Sequence, residues 1–161
     1  MRAKPQRHIL RALAGIDLRL PAQLCALPAT AARLIRYPAL PIVAVLATYR
    51  RDGTVLLSPV WFEHRDGLFQ VWCGSIDEGK VRHLLNDPRA SLVIAEQTQP
   101  WRGVEVVGRA QVSSDDFRGV LHRTAARYEG PEAPARFEAS YPTDGVVIRI
   151  APDKLRIWDL S

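Results

Sequence analysis

Two Asp-Gly dipeptides, each set between short apolar runs, constrain the fold of this chain more than any other feature. Asp52-Gly53 separates the run 42–49 from the run 54–62. Asp66-Gly67 then separates that second run from residues 68–73. Asp-Gly between apolar runs is a strong hairpin signal, and such short turns allow only antiparallel pairing. The three runs therefore predict a β-meander.

The rest of the chain adds strands and helices around this meander. Ser75, with Glu78 three residues later, has the pattern of a capping box, which predicts a helix that runs to about Asn86. The other predicted elements are strands at 90–95 and 101–112, a helix capped by Ser113 or Ser114 and ending near Tyr128, a loop or short helix over 129–144, and β segments at 145–151 and 154–158. Antiparallel strands in a chain of this size remove their exposed edges most simply by closing into a barrel. We predict a mainly β (α+β) fold, a six- to seven-stranded antiparallel barrel with flanking helices.

The positive charge of the chain is concentrated at its N-terminus. The 161 residues carry 22 Lys and Arg against 17 Asp and Glu, a net charge of +5. Seven basic residues and one acid fall within residues 1–36, so the remainder is close to neutral. We therefore divide the chain into a basic helical arm, 1–37, and a barrel domain, 38–161. Within the arm the apolar spacing predicts a helix over 5–20 and a second one over 30–36.

Composition and motif content exclude several classes of protein. Two cysteines make neither a disulfide framework nor a zinc site, and they fit a reduced, cytoplasmic setting. No apolar run has the length of a spanning helix. The four histidines are scattered, and no phosphate loop or nucleophile elbow is present. We predict no metal site and name no catalytic residue.

One group of residues, at the start of a predicted helix, is suited to binding an anion. A strand that ends at Gly74 is followed by Ser75 and then by Lys80 and Arg82 in the first turns of a predicted helix. Free N–H groups at a helix start, a hydroxyl and a cation can hold a phosphate together. By spacing alone, a cap with solvated cations is the favoured interpretation, since Glu78 competes for the same N–H groups.

Three segments resemble one known family. Their sequences are Ala44-Val45-Leu46-Ala47-Thr48 with Asp52-Gly53 and Ser58-Pro59-Val60-Trp61-Phe62, then Lys80-Val81-Arg82-His83-Leu84 with Asn86-Asp87-Pro88-Arg89, and finally Val106-Val107-Gly108-Arg109-Ala110. In this order they are similar to the pyridoxamine 5′-phosphate oxidase-like, flavin-binding split β-barrel family. The resemblance covers about residues 38–158. It implies a split barrel that forms a homodimer with two flavin sites at the subunit interface.

The resemblance also assigns roles to residues. Lys80 and Arg82 would hold the cofactor phosphate, and Trp101 of the partner subunit would flank the ring. Ser58, Pro59, Val60 and Trp61 would lie along the ring and ribityl portion, largely through backbone groups, and Trp72, Cys73, Gly74 and Ser75 would line the tail. Pro59 fits this role, because a proline within a strand marks an edge or bulge that frees backbone groups.

Two departures narrow the expected activity. The chain ends in residues 156–161 without the Arg-Leu-x-Pro-like segment that binds substrate phosphate in the vitamin B6 oxidases. The sequence of residues 87–91 and 101–105 is more similar to the branch of the family that uses the deazaflavin coenzyme F420. The resemblance thus implies an oxidoreductase that uses FMN or coenzyme F420 to transfer hydride to or from a small conjugated substrate.

Two other classes remain as alternatives. The first is a non-catalytic module of the same fold that binds a flavin or haem. The second, less favoured, is a nucleic-acid-binding barrel, which the pI of about 9.7 suggests and the near-neutral barrel domain opposes. We expect no membrane partner.

Overall fold

The computed structural model describes residues 29–36, 41–99 and 101–160. The helix predicted over 5–20 lies outside these residues, whereas the one predicted over 30–36 is present. The described helices are α1 (Ala29–Arg36), α2 (Gly79–Asn86), α3 (Phe117–Glu129) and α4 (Ala133–Ser140). The strands are β1 (Ala44–Tyr49), β2 (Val55–Val60), β3 (Glu63–Arg65), β4 (Leu68–Cys73), β5 (Arg89–Ala95), β6 (Gly103–Ser113) and β7 (Val146–Trp158).

All seven described strands form one antiparallel sheet, in the order β2-β1-β5-β6-β7-β4-β3. The first predicted hairpin is present, because Asp52-Gly53 joins β1 to β2 and the Asp52 carboxylate accepts the Thr54 N–H at 2.9 Å. The sheet curls around an apolar core with helices against it, which confirms the predicted mainly β split barrel. Its edge strands, β2 and β3, adjoin each other in sequence but lie at opposite ends of the sheet.

The second predicted turn, Asp66-Gly67, and the third predicted strand, 68–73, are present, but the strand that precedes this turn is not the predicted one. The strand expected over 54–62 ends at Val60, and the Asp66-Gly67 turn joins the short strand β3 to β4. Both turn residues have positive φ, 52° and 77°, as a type I′ hairpin turn requires. Between β2 and β3 the chain leaves the sheet at Trp61, and the following Phe62 is fully buried in the core.

Strand β6 lies in the middle of the sheet and contributes several buried residues to the core. Val104, Val106, Ala110 and Val112 are buried on one face, as the alternation predicts. At Gly108 the pairing with β7 shifts register, and a Cβ there would lie 2.0 Å from the Ala151 carbonyl oxygen. The two C-terminal β segments of the prediction are therefore one irregular strand, β7.

Helices α3 and α4 pack together beside β4. Phe117 and Leu121 of α3 form a second apolar cluster with Val147, and Trp72, Phe137 and Tyr141 pack against it. The helix α3 begins after Asp116, which has φ 54°, so the predicted cap at Ser113 or Ser114 is wrong. This cluster fixes the position of α4 over the end of β4.

Candidate functional site

A cavity of about 400 Å³ lies where β2 and β4 end and α2 begins, and helix α4 with its flanking residues forms its far wall. This volume falls within the range of small-molecule sites. The cavity brings together seven of the residues proposed from sequence: Pro59, Val60, Trp61, Trp72, Cys73, Gly74 and Lys80. These residues come from three separate segments of the chain, so the fold has assembled most of the expected site.

Four of the proposed residues do not line this cavity in the described chain. Ser58 pairs with Leu46 across β2 and β1 and therefore faces away from Pro59. Arg82 is exposed on α2, two positions beyond Lys80, which places it on another face of the helix. Ser75 is exposed in the turn before α2, and Trp101 is 46% exposed with φ 57° on the loop between β5 and β6.

One wall of the cavity is the Trp61 indole, which the ring of Tyr128 supports from outside the cavity. The Trp61 indole stacks on the Tyr128 ring, with ring centroids 4.9 Å apart and planes 6° from parallel. The Tyr128 hydroxyl donates to the Ile42 carbonyl at 2.9 Å and accepts from the Phe62 N–H at 3.3 Å. Burial raises the pKa of Tyr128, so the phenol stays protonated near neutral pH. Tyr128 thus holds Trp61 from behind.

The opposite wall is aromatic as well, and sequence reasoning missed most of it. Trp72 meets Tyr141 edge-on at 4.9 Å and Phe137 edge-on at 6.0 Å. Phe137 also lies 5.3 Å from Trp61 and so links the two walls. The only signal for this wall was the spacing of Phe137 and Tyr141, four residues apart in a segment predicted as loop or short helix.

Gly74 is required where these walls meet. A Cβ at this position would lie 2.6 Å from the Tyr141 ring. The glycine therefore allows Tyr141 to close over the end of β4.

The polar end of the cavity holds one ion pair. The Lys80 ammonium contacts the Glu78 carboxylate, and the two side chains are 18% and 32% exposed. The second oxygen of Glu78 accepts the Ser75 N–H at 3.3 Å, and the Ser75 hydroxyl accepts the Asp77 N–H at 3.1 Å. Ser75 was predicted to cap the helix, and this is wrong: α2 begins at Gly79, and residues 75–78 form a turn of their own.

Cys73 is buried beneath the cavity. Burial raises the pKa of its thiol to about 12, so it is neutral and a poor nucleophile near pH 7.

Glu129, at the rim, is paired with Arg136 at 2.7 Å. Within the described residues we find no group of three or more side chains that could hold a metal ion.

Comparison with known proteins decides the family. The model of the pyridoxamine 5′-phosphate oxidase family matches residues 33–159, which is most of the chain. The chain belongs to the pyridoxamine 5′-phosphate oxidase-like split-barrel family. A search of curated proteins found no significant match.

Several solved structures share the split-barrel fold. A conserved hypothetical protein from Mycobacterium tuberculosis is 23% identical with a TM-score of 0.68, over 88% of this chain and 90% of that one. A structure described as an F420 reductase is 24% identical with a TM-score of 0.66, over 81% and 98%. The haem storage protein of Vibrio cholerae is 18% identical with a TM-score of 0.59, over 74% and 88%. Members of the fold thus include both a reductase and a haem storage protein.

Among the described helices, none is long and apolar enough to cross a membrane.

Proposed function

We propose that this chain is an oxidoreductase that binds FMN or coenzyme F420 in the cavity and acts on a small conjugated molecule. The observation that carries the proposal is the cavity itself, which combines aromatic walls with one cation at its polar end. Planar rings pack well against aromatic side chains, and an ammonium suits a phosphate. The structural likeness to an F420 reductase supports the deazaflavin as one of the two candidates.

Each group of residues has a distinct task in this proposal. The walls formed by Trp61, Phe137 and Trp72 would orient the cofactor ring and exclude water. Lys80 would anchor the phosphate, and the backbone near Pro59, on the edge strand β2, would contact the ring. Either cofactor supplies two-electron redox chemistry when bound, so the protein needs to contribute orientation and electrostatics rather than a catalytic side chain.

The outer face of the sheet supports a homodimer. Val45 of β1 and Val55 and Leu57 of β2 are 38%, 43% and 63% exposed. Val45 pairs with Pro59 on this face, so the apolar surface is continuous with the cavity. Exposed apolar patches of this kind mark interaction surfaces. We propose that a second copy covers it.

Trp101 has the features of a residue that acts across such an interface. It is a large aromatic side chain, 46% exposed, on backbone with positive φ, a conformation that bulky residues rarely adopt. Strained positions of this kind are often functional. In the proposed dimer Trp101 would flank the ring bound by the partner subunit.

The proposal is tested by adding FMN and coenzyme F420 separately to the purified protein and following cofactor fluorescence and absorbance. We expect at least one of them to bind with micromolar or tighter affinity. Light scattering should give twice the chain mass of 18.0 kDa. Failure of both cofactors to bind would contradict the proposal, and a monomer that binds would contradict the shared site.

A haem-binding module of the same fold is the second candidate, because a haem storage protein shares the fold. The cavity favours the flavin, since none of the described lining residues is a histidine and the one lining thiol, Cys73, has a raised pKa. Titration with haemin separates the two: a sharp Soret band at one equivalent, without flavin binding, would favour the haem module.

A further inference from the structure

Glu78 and Lys80 face the same cavity and neutralise each other. Lys80 is the one cationic side chain among the described lining residues, and its ammonium is in contact with the Glu78 carboxylate. Lys80 is 18% exposed and Glu78 32%, so the pair is partly shielded from solvent. An anion that needs Lys80 must therefore compete with a carboxylate of the protein.

Both oxygens of the Glu78 carboxylate have a partner within the protein. One of its oxygens contacts Lys80 and the other accepts the Ser75 N–H at 3.3 Å. An ammonium group is one of the donors that bind phosphate. The carboxylate of Glu78, the residue directly before α2, thus occupies the ammonium that an external anion would contact.

The loss of affinity that Glu78 causes depends on the charge of the ligand's phosphate group. A phosphate monoester, as in FMN, carries about 1.5 to 2 negative charges near pH 7, whereas the phosphodiester of coenzyme F420 carries one. Repulsion by a fixed carboxylate grows with the charge of the phosphate group that lies beside it. We infer that Glu78 determines specificity at this site by lowering the affinity for a doubly charged phosphate monoester more than for a singly charged diester. The inference rests on the proposed function, because it concerns the same cavity.

The variant Glu78→Gln tests the inference, since it removes the charge and keeps the size and an acceptor for the Ser75 N–H. FMN and riboflavin are the probes, because they share the ring and differ in the phosphate. We expect FMN to bind on the order of tenfold more tightly to E78Q than to the wild type. Riboflavin should change by less than about twofold, and coenzyme F420 should gain less than FMN.

Asp77→Asn is the matched control. It changes the net charge by the same amount one residue away, but Asp77 is exposed and does not line the cavity. We expect its affinity for FMN to stay within about twofold of the wild type. Thermal melting checks that both variants fold, and Glu78→Ala should shift FMN affinity in the same direction as E78Q.

Each other outcome overturns the inference in a recognisable way. Weaker FMN binding by E78Q would make Glu78 an anchor that orients Lys80 for the ligand. Equal tightening of FMN and riboflavin would indicate a change of cavity shape, and an equal effect of D77N would indicate general surface charge. Binding of both flavins with no change in E78Q overturns the inference alone. Absence of binding by FMN, riboflavin and coenzyme F420 to wild type and variant defeats the proposed function and, with it, the inference.

Discussion

The indole of Trp61 lies flat against the ring of Tyr128, 4.9 Å between centroids and 6° from parallel. Trp61 lines the cavity, whereas Tyr128 does not and is held by two backbone hydrogen bonds. A residue on the long helix α3 therefore sets the position of an aromatic wall at the end of strand β2.

Two substitutions separate the ring of Tyr128 from its hydroxyl. Tyr128→Phe keeps the stack and loses the bonds to Ile42 and Phe62, so we expect unfolding to become about 1 to 2 kcal/mol easier, with cofactor affinity nearly unchanged. Tyr128→Leu also loses the stack and should weaken cofactor binding severalfold. Chemical denaturation and cofactor titration measure the two effects. Equal cofactor affinity in both variants would mean that Trp61 needs no support.

Gly74→Ala should disturb the cavity. The new methyl group would lie 2.6 Å from the Tyr141 ring, which packs edge-on against Trp72 and would have to shift. We expect a lower melting temperature and weaker cofactor binding. Gly79→Ala is the control, because its Cβ would meet only Leu56, at 3.5 Å. Combining Gly74→Ala with Tyr141→Ala should restore part of the stability, and no restoration would count against this contact as the cause.

Lys80→Met should weaken binding of FMN at least about tenfold and leave riboflavin nearly unchanged, because only FMN carries the phosphate. Arg82→Met is the comparison on the same helix. Arg82 was also predicted to hold the phosphate, but it is exposed and lies outside the cavity lining, so we expect a smaller loss. A larger loss with Arg82→Met would move the phosphate site away from this cavity.

The acid limb of the stability curve should depend on Glu96. A hydrogen-bonded ion pair with Arg102, at 2.8 Å and 2.9 Å, lowers the pKa of the Glu96 carboxyl from its ordinary value of 4.5. A carboxyl whose pKa is lower in the folded state adds stability above the unfolded pKa and loses it as pH falls through the folded pKa. The free energy of unfolding, measured by chemical denaturation at several pH values between 7 and 3, should therefore depend less on pH in Glu96→Gln than in the wild type. A curve parallel to the wild type would show that the pair contributes nothing.

The sequence predicted those parts of the site that depend on local signals. Asp52-Gly53 identified the first hairpin, and Pro59 marked strand β2 as an edge strand. Lys80 was singled out because it follows a strand end in the first turns of a predicted helix, but its proposed role came from the family resemblance, since spacing alone favoured a solvated cation. The hairpin and the edge strand need only turn chemistry and the position of a proline.

The remaining parts depend on long-range packing. Phe137 and Tyr141 lie in a segment with three prolines and no clear periodicity, so nothing local directs them toward Trp72. Strand β3 was missed because its three residues pair only with β4, and Ser75 was assigned as a cap because a Ser–Glu turn and a capping box have the same spacing. The aromatic wall and strand β3 depend on contacts between distant segments, and the start of α2 depends on the conformation of a single turn.

The proposed function requires that the cavity between Trp61 and Lys80 binds a flavin or deazaflavin. Equilibrium titration of the wild-type protein with FMN and with coenzyme F420, read by quenching of protein tryptophan fluorescence, tests it most directly. We predict saturable binding of at least one cofactor at one equivalent per chain, with strong quenching because Trp61 and Trp72 line the cavity. The absence of saturable binding by both cofactors would contradict the proposed function.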